Sequence, residues 1–134
     1  MNRVIKFRGY DDIADTWCYG VGIFIDKRGN YILLLDNYFT VIINDPQSIG
    51  QFIGIYDKNN NEIYEGDIIT FTRYTGDWQS PKPRNLLTTT HTVVFDKDLC
   101  RFGLSSTSSD TQKLRKHSGY IYEIIGNTFE NGQK

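Results

Sequence analysis

Val4-Ile5-Lys6-Phe7-Arg8 alternates apolar and basic side chains, the period of two that marks a half-buried strand. Trp17 to Ile25 predicts another, with Gly20 and Gly22 marking a bulge or a close backbone approach. Asp26 to Asn30 is turn chemistry, so the strand predicted over Tyr31 to Leu35 closes a short hairpin. A second turn, Leu35 to Tyr38, leads into Phe39 to Ile43. Asp45-Pro46 reads as a cap with proline at the first helical position, and Gly50 limits it to one helical turn. Gln51 to Tyr56 and Glu62 to Tyr64 form a hairpin around the Asn-rich turn Asp57 to Asn61. Glu65-Gly66-Asp67 is a sharp corner before a strand over Ile68 to Phe71. Gly66 supplies permissive backbone there, and Asp67 can satisfy local N–H groups.

Tyr74 to Thr90 has no period, two prolines and a glycine, which predicts a long irregular arm. Strands resume at His91 to Phe95 and Arg101 to Leu104, joined by the loop Asp96 to Asp98. Ser105 to Asp110 is a polar loop. Thr111 to His117 reads as a short helix capped by Asp110, and Tyr120 to Phe129 as the last strand, with a bulge or bend at Gly126-Asn127. No segment keeps a 3.6-residue apolar period for three turns. Short strands with turn signals between them define an all-β chain. The expectation is an SH3-like open barrel core with an N-terminal β meander and the long irregular arm. One domain over residues 1–134 is the default, with a subdivision into a meander over 1–48 and a barrel over 49–131.

Residues 49–69, IGQFIGIYDKNNNEIYEGDII, resemble the YopX family of bacteriophage and prophage proteins through Glu62-Ile63-Tyr64-Glu65-Gly66-Asp67-Ile68. Other matches follow in order: Ile5 to Arg8 with Trp17, Gly50-Gln51-Phe52, Val94-Phe95-Asp96, Phe102-Gly103-Leu104, and the ending Ile125 to Asn131. In the turn, Asn60 stands where the family has glycine, a tolerable exchange at positive φ. The resemblance implies a phage-associated β-barrel protein in the cytoplasm of the bacterial host. It implies no chemistry and carries over no catalytic residue.

Composition adds exclusions. The 134 residues are 39% hydrophobic and 14% aromatic, too apolar for a disordered chain. The N-terminus has no signal-peptide pattern, and Tyr31 to Leu35, the longest apolar run, is far short of a membrane span. Cys18 and Cys100 make no disulfide framework and read as buried, reduced thiols. With His91 and His117 they match no common zinc spacing. Glu62, Glu65 and Asp67 raise a metal-dependent nuclease reading, weighed against turn and edge chemistry. No P-loop, G-x-G-x-x-G or nucleophile elbow is present. No cofactor is expected.

Charge separates along the chain, although the net charge is −1. Residues 1–70 carry six basic and ten acidic side chains. Residues 71–120 carry eight basic (Arg73, Lys82, Arg84, Lys97, Arg101, Lys113, Arg115, Lys116) and four acidic (Asp77, Asp96, Asp98, Asp110). Tyr74 and Trp78 lie in the basic part. Cations beside aromatic rings suit phosphates and stacked bases, and tryptophan also anchors protein interfaces. The expected function is therefore a non-enzymatic phage accessory protein that binds protein, either itself as an oligomer or a host factor. The alternative is a nucleic-acid module. The candidate contact residues are Arg73, Tyr74, Trp78, Lys82, Arg84, Lys113, Arg115 and Lys116.

Overall fold

The structure is a computed structural model that describes residues 4–75, 85–105, 112–113 and 120–132. It is mostly β, with 62% of the described residues in strands and a curled half-barrel sheet. Two compact units divide the chain, residues 1–54 and 55–134.

In the first unit, β1 (Phe7–Asp11) pairs antiparallel with β2 (Thr16–Gly20), Phe7 opposite Gly20 and Asp11 opposite Thr16. The strand expected from Val4 begins instead at Phe7, because its partner ends at Gly20. The run expected as one strand over Trp17 to Ile25 breaks at Val21, and β3 (Gly22–Ile25) joins a different sheet. That sheet is a meander of β3, β4 (Tyr31–Leu34) and β5 (Thr40–Ile43). Leu33 and Ile43 are fully buried in it. The break and the close approach at Gly20 have one cause. A Cβ on Gly20 would stand 2.4 Å from the Leu34 carbonyl oxygen. That oxygen accepts the Val21 N–H at 2.8 Å, which turns the chain from one sheet into the other. Asp45 caps the single 3₁₀ turn Pro46–Ser48 by accepting the Gln47 N–H, as the Asp-Pro pair predicts. β6 (Gly50–Tyr56) then returns beside β1, Phe7 opposite Gln51.

The hairpin turns repeat one local rule. Asp26 accepts the N–H groups of Arg28 and Asn30, and Gly29 follows at φ 85°. Asp57 accepts those of Asn59 and Asn61, and Asn60 sits at φ 67°. A carboxylate four residues before the turn closes thus replaces backbone donors that the turn leaves without strand partners.

The second unit contains β7 (Glu62–Tyr64) and a five-stranded sheet. Its strands are β8 (Asp67–Thr75), β9 (Asn85–Asp96), β10 (Arg101–Ser105), β11 (Gln112–Lys113) and β12 (Ile121–Asn127). The order across the sheet is β11-β10-β9-β8-β12. Ile63, Ile69, Val93 and Leu104 are fully buried. Phe71 stacks on Tyr122 at 5.1 Å and meets Tyr120 edge-on.

Three expectations change here. Arg73 to Thr75 and Asn85 to Thr90 are strand, so the arm is regular at both ends, and residues 76–84 lie outside the described residues. Gln112 and Lys113 are strand rather than helix, because they pair with Leu104 and Gly103. The last strand stops at Asn127, whose Oδ1 accepts the Glu130 N–H at 2.8 Å and starts the short helix α1 (Thr128–Gly132). The bulge or bend expected at Gly126-Asn127 is a bulge, between Ile124 and Gly126.

Candidate interaction surface

β8 and β9 pair continuously from Ile68 opposite Thr92 to Thr75 opposite Asn85. Their neighbours are shorter. Among the described residues, β12 accompanies β8 as far as Thr72, and β10 accompanies β9 from Thr92 onward. Among those residues the β8–β9 hairpin continues past its neighbours as a ribbon of two paired strands. Side chains alternate between its faces. One face carries Ile69, His91, Phe71 and Thr89, and ends in Arg73 opposite Leu87. The other carries Thr70 opposite Thr90 and Thr72 opposite Thr88, and ends in Tyr74 opposite Leu86. Thr72 and Thr88 share a hydroxyl hydrogen bond of 2.8 Å. Tyr74 is 53% exposed, Leu86 59% and Leu87 40%, and Arg73 is exposed beside them. A tyrosine, two leucines and an arginine at the end of a ribbon have the composition of an interface core.

The base of the ribbon is buried. His91 Nε2 lies 2.6 Å from Thr89 Oγ1, its ring tilts against Phe71, and its Nδ1 has no partner among the described residues. Burial holds the His91 pKa below its ordinary value.

The eight residues expected to bind do not form one cluster in what is described. Arg73 and Tyr74 lie on β8 at the ribbon. Lys113 lies on β11, opposite Gly103, and two strands separate β11 from β8. Trp78, Lys82, Arg84, Arg115 and Lys116 lie outside the described residues, as does His117. Leu86 and Leu87, exposed beside Tyr74 and Arg73, are ribbon residues that the sequence reading did not single out.

Two of the three carboxylates weighed for metal, Asp67 and Glu62, act within the fold. Asp67 is 1% exposed, and its Oδ2 accepts the Tyr64 N–H at 2.7 Å. Glu62 Oε1 accepts the Tyr64 hydroxyl at 3.0 Å. Gly66 has φ 94°, gives its N–H to the Val93 carbonyl and accepts the Thr128 N–H. Asn127 stands opposite Asp67. Two segments of the sequence pattern, Glu62 to Ile68 and Ile125 to Asn131, thus meet at one corner. No three His, Cys, Asp or Glu side chains are grouped as metal ligands among the described residues. Both cysteines are free thiols. Cys18 is half-buried, but Cys100, expected to be buried, is exposed. It occupies a turn position at φ 53°, where Asp96 accepts the N–H groups of Asp98 and Leu99. Burial, and then the Asp11 charge, push the Cys18 thiol up. No helix of the described residues is long and apolar enough to cross a membrane.

These features define a mostly β protein with a half-barrel sheet, whose long central hairpin carries exposed apolar and aromatic side chains. The chain belongs to the YopX protein family, whose profile matches residues 6–134. No curated protein matches it.

Proposed function

We propose that this YopX-family protein is a non-enzymatic accessory protein of phage or prophage, acting in the host cytoplasm by binding protein through the end of the β8–β9 ribbon. The observation behind this reading is the exposure of Tyr74, Leu86 and Leu87 beside Arg73, at the end of the longest strand pair among the described residues. Tyrosine and arginine are enriched among interface hot spots, and a ribbon presents them on a rigid backbone. Nucleic acid is the second reading. It draws on Arg73, Lys82 and Arg84, but the described ribbon offers one cation against three large apolar or aromatic side chains, a poor match to a phosphate-tracking surface.

Affinity capture from host lysate, with and without nuclease, tests the reading. Captured protein should survive nuclease and fall roughly tenfold or more in Tyr74→Ala with Leu86→Ala, the cost of removing two interface anchors. Capture that disappears with nuclease favours nucleic acid. Capture unchanged in the double variant removes the ribbon from the function.

A further inference from the structure

We infer that the β4–β5 turn, Leu35 to Phe39, is a second contact site, whose Tyr38 and Phe39 seat in an apolar pocket with a cationic rim on another protein. The site is built from the first unit alone and draws nothing from the ribbon. Three hairpins of the chain close with the same five-residue turn. The Asp26 N–H donates to the Asn30 carbonyl, and the Gly29 N–H donates to the Asp26 carbonyl. Asp57 to Asn61 and Leu35 to Phe39 repeat both bonds. The fourth residue has positive φ each time: 85° at Gly29, 67° at Asn60 and 69° at Tyr38. Glycine and asparagine suit that backbone, whereas a bulky aromatic residue is strained there. The first residue is a turn-closing aspartate in two of the three. In the third it is Leu35, and Asn37 Oδ1 accepts the Phe39 N–H instead.

This turn therefore keeps the geometry without the residues that make it most cheaply, and what replaces them is exposed. Tyr38 is 88% exposed and Phe39 70%. Val21, whose N–H donates to the Leu34 carbonyl at the foot of the same hairpin, is exposed as well. Two aromatic rings in water add nothing to the turn, but each has a large area to gain by burial in a partner. Strained backbone of this kind concentrates at binding elements, where the strained residue itself makes the contact.

Charge selects the occupant. Asp36 is the only charged residue from Tyr31 to Asn44. A turn that entered an anionic lipid surface would carry lysine or arginine beside its aromatic rings, and this one carries a carboxylate. The same carboxylate repels the phosphates of a nucleic acid. A two-fold contact between two such turns would bring Asp36 toward Asp36. A protein pocket remains: concave because a hairpin end is convex, apolar to take the rings, and basic at its rim to meet Asp36.

A photo-crosslinking residue at Thr40, exposed next to Phe39, is activated in host lysate on the full chain. The adduct is identified by mass spectrometry, and the adducted protein is purified and titrated against variants. A protein adduct is expected, with Tyr38→Gly and Phe39→Ala each weakening binding roughly tenfold or more. Tyr38→Gly should melt at or above the wild-type temperature, because glycine accepts the positive φ, so its loss of binding is not unfolding. Asp36→Lys should also weaken binding, because it sets a cation against the basic rim. No adduct, or an adduct with lipid, nucleic acid or a second copy of this chain, would overturn the inference. So would a Tyr38→Gly variant that binds as wild type does or melts lower, or an Asp36→Lys variant that binds equally well. If Tyr38→Gly binds normally while Tyr74→Ala with Leu86→Ala loses its captured protein, this site fails and the ribbon reading stands. The reverse pattern removes the ribbon and keeps this site.

Discussion

Replacing Gly20 by alanine should destabilise the first unit, while the same change two residues later should not. A Cβ on Gly20 meets the Leu34 carbonyl oxygen at 2.4 Å and the Leu33 Cδ1 at 2.8 Å. Neither neighbour can move freely. Leu33 is completely buried, and the Leu34 carbonyl holds the Val21 N–H. Forcing a methyl into a packed site costs about 1–3 kcal/mol. Weakening the Val21 hydrogen bond adds about 0.5–1.5 kcal/mol. The smaller conformational entropy of the unfolded alanine chain offsets about 0.4–1 kcal/mol. The net loss is about 0.5–4 kcal/mol. At Gly22 a Cβ meets nothing within 4 Å, so only the unfolded-state gain remains. Urea denaturation, followed by far-ultraviolet circular dichroism, should show a lower midpoint for Gly20→Ala and an equal or higher one for Gly22→Ala. A Gly20→Ala midpoint equal to wild type would refute the close approach of the two sheets. Equal losses in both variants would refute its placement at Gly20.

Gly66→Val should cost about 1–3 kcal/mol, because a β-branched residue is strained at φ 94°; an unchanged melting temperature would displace the corner. His91 is buried with its pKa lowered, so the unfolded state takes up its proton first as pH falls. Stability should be flat in this respect above the ordinary value of 6.5 and decline below it, by at most about 1.4 kcal/mol per pH unit. The decline between pH 6.5 and 5 should shrink in His91→Phe, and identical pH profiles would refute the assignment. Iodoacetamide should label Cys100 well before Cys18, whose thiol is half-buried with a raised pKa; mass spectrometry showing the reverse order would contradict their placement.

Local chemistry was the most legible part of the sequence. Asp26 and Asp57 announce their turns because one carboxylate can satisfy two nearby N–H groups, and Pro46 announces a helical start because its φ is fixed. Gly66 and Asp67 announce a corner for similar local reasons. The ribbon was not legible, because threonine carries it. Thr88, Thr89 and Thr90 give no apolar alternation, yet their β-branched side chains favour strand, and the register with β8 supplies the rest. The change of sheet at Val21 depends on the Leu34 carbonyl, a tertiary partner that no local pattern reveals. The end of β12 did leave a signal: Asn127 three residues before Glu130 is cap chemistry, overshadowed by the apolar run before it. In the candidate surface, Arg73 and Tyr74 were visible as a cation beside an aromatic ring. Leu86 and Leu87 were not, because their position opposite those residues follows only from the pairing.

A photo-crosslinking residue placed at Leu86 tests the central claim most directly, with the same residue at Lys27, in an exposed turn of the first unit, as the reference. The ribbon account predicts protein adducts from position 86 that resist nuclease and exceed those from position 27. Adducts no more abundant at 86 than at 27, or adducts that nuclease removes, would contradict it.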